Sequence, residues 1–209
     1  MAANESRDRG GRPAPAGRIA RGRPKNERID ADVVAAVLES LMRKGYREVT
    51  IAGIAKRVKR ARTSLYRRWP STRHLVAYAV LSTLGAQPAP DRGSLREDLE
   101  GAAETLRRGF SGPLGRALPG LVADMAHDPA LAQMISHEVL APRRASIKSA
   151  FQRGMARGEV RRGTDLDVLV DLLIAPCYFR VLLGQGPISR VFIDSLVERV
   201  LRAAGPAAP

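Results

Sequence analysis

From residue 29 onward, large apolar side chains return every three or four positions, the period of a helix that buries one face. Ile29, Val33, Val37 and Leu41 stand four apart with Val34, Leu38 and Met42 beside them, and Arg43-Lys44-Gly45 closes the run with basic residues and a glycine cap. Thr50 is a good N-cap for a second, short helix in which Ile51, Ile54, Ala55 and Val58 share a face. Residues 59–62 separate it from a third short helix over 63–69, stopped by Pro70. Ser71 can cap a fourth, carried by Leu75, Val76, Ala79, Val80 and Leu84.

A Pro, Gly and Asp break follows at 87–93. Ser94-Leu95-Arg96-Glu97 then has capping-box spacing, and Leu95, Leu99, Ala102, Leu106 and Phe110 continue a helix. The same pattern predicts helices at 114–126, 129–140, 143–157, 166–183 and 188–203. There is no alternating strand pattern of useful length and no internal repeat, so the fold class is all-α.

Residues 1–28 are Gly, Pro, Arg and Ala with almost no large apolar residues, which predicts a disordered basic arm. Gly-Arg-Pro occurs in it twice, the second time inside Arg21-Gly22-Arg23-Pro24-Lys25. That core resembles the AT-hook, whose Arg side chains lie in a narrow minor groove, and Arg23 and Lys25 are candidate contacts; a solvated tail is the alternative.

Charge divides the 209 residues in the same direction. The formal net charge is +14, and counting along the rows gives 19 Lys/Arg against 7 Asp/Glu in residues 1–75, hence +12 of the total in the first third. A basic first third on a nearly neutral body points to a nucleic-acid or anionic-surface contact. The Arg excess itself, 30 of 35 basic residues, is what GC-rich coding produces and carries little weight.

The single cysteine, Cys177, excludes an intramolecular disulfide framework and a cysteine-cluster zinc site, which favours a reducing, cytoplasmic setting. The charged first residues show no apolar core of a secretory signal. The most apolar run, Leu166–Leu183, carries Asp167, Asp171, Arg180 and Pro176, which makes it a buried helix and a poor membrane span.

The segment 63–74, Thr-Ser-Leu-Tyr-Arg-Arg-Trp-Pro-Ser-Thr-Arg-His, gathers aromatic and basic residues in an aromatic-poor chain. Two short helices joined by about four residues, the second opening on small hydroxylated residues, have the layout of a helix-turn-helix. Thr63 and Ser64 are short enough for close approach to bases, Tyr66 can donate its hydroxyl to a phosphate, and Arg62, Arg67 and Arg68 supply charge. Leu65 and Trp69, four apart, should pack inward. The competing reading is a charged surface helix with one aromatic anchor.

These residues resemble the DNA-binding domain of the TetR family of bacterial transcriptional regulators across 29–84. Gly-Tyr, Val-Thr-Ile, Ile-Ala, Leu-Tyr-Arg-Arg-Trp-Pro-Ser and Leu-Val occur in the family's order and spacing. Arg-Gly-Glu-Val at 157–160, Asp-Leu-Asp at 165–167, Ala-Pro-Cys-Tyr-Phe-Arg at 175–180 and Phe-Ile-Asp-Ser-Leu-Val at 192–197 look more loosely like one subgroup's C-terminal domain. The resemblance implies a helix-turn-helix domain at 29–85 and a larger helical regulatory and dimerisation domain at 94–204. It also implies a homodimer on double-stranded DNA whose last two helices form a four-helix bundle with the partner's, and a small-molecule pocket in the body. The carried-over contacts are Thr50 and Tyr66 on phosphates and Arg62, Thr63 and Ser64 at the groove.

Two positions depart from the family. Where members place Gly and then an aliphatic residue in the turn, this chain has Lys59 and Arg60. A left-handed conformation there costs a Cβ-bearing residue roughly 1 kcal/mol, so Lys59 implies strain or a reshaped turn, and Arg60 should snorkel outward. Ala61 lacks the hydroxyl cap often found before the recognition helix. The Lys that commonly follows Pro-Ser is Thr72, which leaves Arg73 as the substitute phosphate anchor.

The last two helices are apolar over more than one stripe: Ile188, Val191, Phe192, Ile193, Leu196, Val197, Val200 and Leu201 in one, nearly all of 166–183 in the other. A helix apolar on two sides needs two covering surfaces, and a twin subunit can supply one, with Leu172, Phe179, Phe192, Leu196 and Val200 as interface candidates. Burial in one monomeric core is the alternative. Leu121, Met125, Met134, Ile135, Val139, Phe151, Met155, Tyr178 and Leu182 could line a pocket or be plain core. With few buried charges on offer, a hydrophobic or aromatic effector is expected.

No catalytic constellation stands out. His127 and His137 lack a second ligand pair at helical spacing, Asp124, Asp128 and Glu138 read as solvent-facing or capping, and no phosphate-cradling glycine motif occurs. The expectation is a non-enzymatic, cofactor-free, ligand-released repressor on a palindromic operator. An architectural protein that coats DNA without reading it is the alternative.

Overall fold

The structure is a computed structural model that describes residues 24–84 and 91–205. The described residues form ten α-helices and no strand. The arm as far as Arg23, and the first part of the 87–93 break, lie outside the described residues.

α1 (Pro24–Lys44) starts earlier than the expected boundary at residue 29. Proline suits the first helical position because its fixed φ is already helical and its missing N–H would have no intrahelical partner there. Lys25 therefore belongs to α1 and not to an arm. Gly45 ends the helix at φ 86°, its N–H donating to the Leu41 carbonyl at 3.0 Å. A single 3-10 turn, Tyr46–Glu48, leads to α2 (Ile51–Arg57), capped by Thr50, whose Oγ1 accepts from the Gly53 N–H at 3.0 Å. α3 (Arg62–Tyr66) is shorter than the predicted 63–69, because the residue before Pro70 favours extended backbone. α4 (Thr72–Leu84) completes the first unit. Val33, Val37 and Leu41 of α1, Ile54 and Ala55 of α2, Leu65 and Trp69 around α3, and Leu75, Val76 and Val80 of α4 form its core.

The body comprises α5 (Leu95–Ser111), α6 (Pro113–Met125), α7 (Pro129–Ile135), α8 (Ala141–Ala156), α9 (Leu166–Leu183) and α10 (Arg190–Ala204). α5 is central: it packs on α6, α8, α9 and α10 through Leu95, Leu99, Leu106 and Phe110. The expected gap between residues 140 and 143 is absent. A π-helical turn, Ser136–Leu140, joins α7 to α8 without a break and gives room to the ring of Pro142, which an α-helix would drive into the preceding carbonyl. Ser94 and Asp128 cap α5 and α7 with their side chains, accepting from Glu97 at 3.2 Å and Leu131 at 3.1 Å. Among the described residues no helix is long and apolar enough to cross a membrane.

Among the described residues one charged residue lies in the core, Asp98, which is wholly enclosed. It accepts from the Arg92 N–H and from Arg153 Nη2, both at 2.8 Å, with Arg157 at 3.7 Å. These bonds tie the segment before α5 to α8.

The two units share a boundary, because α1 and α4 both rest on α6. The Tyr46 ring packs flat against Gly120, where a Cβ would stand 2.2 Å from the ring.

Candidate nucleic-acid interface

α2, its turn and α3 are held from within. Leu65 and Trp69 are 1% and 5% exposed, as their spacing predicts, and Trp69 meets Tyr78 of α4 with ring centroids 5.4 Å apart. With that side of α3 fixed, Arg62, Thr63, Tyr66 and Arg67 turn outward and Ser64 is half-buried at the edge. Tyr66 is 53% exposed, unusual for an aromatic residue with a core within reach.

The turn resolves the question that Lys59 raised. Its φ is 53°, the single positive value outside glycine among the described residues. Arg60 N–H bonds to the Ala55 carbonyl at 2.9 Å and Lys59 N–H to the Lys56 carbonyl at 3.3 Å, the paired bonds of a Schellman helix end. The turn keeps its shape and Lys59 bears the strain. Arg60 is exposed, and Ala61 precedes α3 without a side-chain cap.

Two of the candidate cations are already engaged. Arg68 is bonded to Asp30 of α1, and its guanidinium lies over Trp69 at 5.2 Å from the ring centre. Its charge is neutralised inside the unit, so it braces α3. Arg73 stands 3.3 Å from Asp128 at the start of α7, with His74 Nδ1 3.9 Å from the same carboxylate. The expected phosphate anchor thus contacts the body.

A second link lies beside it. The Tyr46 hydroxyl donates to Asp124 of α6 at 2.5 Å, and burial followed by this bond raises the phenol's pKa above its ordinary value. Tyr46, Arg47, Val49, Ser71, Thr72, Arg73 and Asp124 line an open cleft between the units. Sequence reasoning missed this role for Tyr46 and Asp124; the Gly-Tyr pair after α1 was the available signal.

In the body, Val168, Leu172, Phe179 and Leu183 form an exposed apolar stripe along α9, 44–59% exposed, and Val191 at the start of α10 is 78% exposed. Phe192 is half-buried under Arg180, whose guanidinium sits 3.9 Å from its ring centre. Leu196 and Val200, offered above as interface residues, are 8% and 2% exposed inside this chain's own core. Their side of α10 faces α5, which already covers it.

Of the pocket candidates, Leu121 and Phe151 are enclosed, while Met125, Met134, Met155, Tyr178 and Leu182 are only partly buried against the core. His127 and His137 are exposed, and no cluster among the described residues could hold a metal ion. Cys177 is buried, which pushes its thiol up to about 11.

A small helical unit presenting a short, outward-turned polar helix on a buried apolar seat, joined to an all-helical body, defines a helix-turn-helix DNA-binding regulator. Residues 33–79 match the model for bacterial regulatory proteins of the tetR family, and residues 89–200 the tetracyclin repressor-like C-terminal domain. The chain belongs to the TetR family of transcriptional regulators.

It is 30% identical over 183 residues to the DNA-binding transcriptional repressor TetR of Mycobacteroides abscessus, covering 85% of this chain and 94% of that one. It is 29% identical to the HTH-type transcriptional regulator YdeS of Bacillus subtilis, covering 87% and 92%. The crystal structure of the TetR family transcription regulator SCO0332 superposes with a TM-score of 0.66 at 30% identity, covering 85% and 99%. The chain is accordingly an all-helical, DNA-binding transcriptional regulator of repressor type.

Proposed function

We propose that the protein is a homodimeric repressor that reads a palindromic operator and is released by a small molecule. The observation that carries this is the outward face of α3. Arg62, Thr63 and Ser64 are free to meet base edges and Tyr66, Arg67 and the Thr50 region to meet phosphates, because Leu65 and Trp69 fix the helix from behind. Arg68 and Arg73 leave the list of direct contacts, since acids of the same chain hold them. Lys59 and Arg60, both exposed at the turn, take their place as phosphate-reaching cations. Arg23 and Lys25 remain candidates for the adjacent backbone or minor groove.

Dimerisation is supported by the α9 stripe. Four large apolar residues on one side of a helix leave a surface that a second copy would cover, and α9 with α10 then meets its twin in a four-helix bundle. Two-fold symmetry of the protein calls for two operator half-sites.

Release is a population shift. Tyr46–Asp124 and Arg73–Asp128 couple the DNA-binding unit to α6 and α7, so an effector that prefers a different setting of α6 changes the spacing of the two recognition helices. The test is competition binding to fragmented genomic DNA at physiological salt, with bound fragments sequenced. A recovered palindrome supports the reading, and Arg62→Ala or Tyr66→Phe should weaken its binding without unfolding the protein. Uniform recovery of fragments would replace it with a DNA-coating protein.

A further inference from the structure

Arg143, in the first turn of α8, is a partly exposed charge with no counter-charge among the described residues. Its Nη1 is buried and has no hydrogen-bond partner. A guanidinium is not deprotonated in proteins, so burial cannot remove the charge. Where Nη1 is shielded from water, the cost of desolvating it is offset by an anion or by strong acceptors. Desolvation shows in the depressed pKa of the group, and the one titratable neighbour that it senses is Tyr178 of α9. Burial raises the Tyr178 phenol, so it is neutral at physiological pH and offers no negative charge.

The two acids of α9 are committed elsewhere: Asp171 to Arg144, and Asp167 to Lys148 at 2.7 Å. Tyr178 is fixed edge-on against Phe110 of α5, centroids 4.9 Å apart at 80°. A phenol, an aromatic wall and an unpaired guanidinium therefore converge where α5, α8 and α9 pack, next to the π-helical turn that widens the helix just before Arg143.

We propose that Arg143 is the acid-binding residue of the effector site, and that the effector is an organic monocarboxylate with an aromatic or aliphatic body. The inference rests on the effector-controlled reading above and adds an acid group to the hydrophobic or aromatic effector expected from the sequence. The planar guanidinium matches a carboxylate through paired N–H bonds, and the Tyr178 hydroxyl can add a third donor. One guanidinium and one phenol with no lysine beside them suit a single negative charge better than a phosphate dianion. Met125, Met134 and Leu182 are likewise only partly buried against the core, and a thioether adapts readily to the shape of an apolar partner.

The experiment is calorimetric titration of the full chain, free of DNA, with benzoate, 2-naphthoate, octanoate and decanoate, each against its primary amide. At least one acid should bind about tenfold or more tightly than its amide, a charge-assisted bond being roughly twice as strong as a neutral one. Arg143→Met should bind acid and amide alike, whereas Tyr178→Phe should keep most of the preference. Without ligand, Arg143→Met should also melt no lower than the parent, since an apolar side chain of similar reach replaces a partly desolvated, unpaired charge.

No preference for any acid, a preference that survives in Arg143→Met, or a lower melting temperature for that variant would each overturn the assignment. Operator binding by the ligand-free Arg143→Met protein is expected to be unchanged. A failed titration therefore leaves the DNA reading intact, and a wild-type protein that ignores operators strikes that reading alone.

Discussion

Replacing Lys59 by glycine should stabilise the protein, opposite in sign to glycine inside a helix. At φ 53° a Cβ-bearing residue pays about 1–2 kcal/mol that glycine does not. Glycine also loosens the unfolded chain, which takes back about 0.4–1 kcal/mol. The backbone bonds of the turn, from Lys59 N–H to Lys56 and from Arg60 N–H to Ala55, are independent of the side chain and survive the change. The net gain is therefore about 0.5–1 kcal/mol, or about 2 °C in Tm for a chain of this size. Urea unfolding at fixed protein concentration, with an unchanged m-value, reads it directly. Lys56→Gly is the control: Lys56 is exposed and helical, and its replacement should cost about 1 kcal/mol. Equal losses for both variants would refute the claim that the turn stores strain at Lys59. Operator affinity of Lys59→Gly should fall while stability rises, because one exposed cation leaves the turn.

Asp98→Ala removes the enclosed acceptor of the Arg92 N–H and of Arg153 and should cost about 1–3 kcal/mol in chemical unfolding, less than breaking a fully buried pair because Arg153 and Arg157 are 26% and 28% exposed and keep Asp91 as a partner. Phe179→Glu puts a charge in the middle of the α9 stripe, and sedimentation should show a monomer with unchanged helical content. Bonds to Arg107 and Arg108 push the Glu104 carboxyl down to about 2. Its unfolded value is about 4.3, so its contribution is complete above that pH and fades as pH falls toward 2; being near the surface, it is well under about 1 kcal/mol. Glu104→Gln should accordingly differ from the parent at neutral pH and converge with it near pH 2, by thermal melts across that range.

Helix existence was legible because a 3.6-residue period survives in almost every segment, and the inward turn of Leu65 and Trp69 followed from spacing alone. Charge partners were not. Arg68 and Arg73 read as free cations because the acids that hold them, Asp30 and Asp128, lie far along the chain, and composition carries no information about which charges meet. The breadth of the apolar set on α10 was visible too, but not its phase. Ile193, Leu196, Val197 and Val200 form one stripe against α5, leaving Val191 outside it. Continuity from α7 into α8 escaped detection because Pro142 signals a break, and here a π-helical turn carries the helix into it. Arg143 entered the sequence reading only as the start of a helix, since burial of a charge has no periodic signature.

Trp69 has a spectroscopic consequence. It is the single tryptophan of the chain, it lies three residues past the end of α3 with 5% of its surface exposed, and Arg68 and Tyr78 flank its ring. Intrinsic indole emission therefore comes wholly from the DNA-reading unit, and the body contributes none. Any change in that emission when a compound binds among α5 to α9 is a message received at the recognition helix, observable in unlabelled protein and with no DNA present.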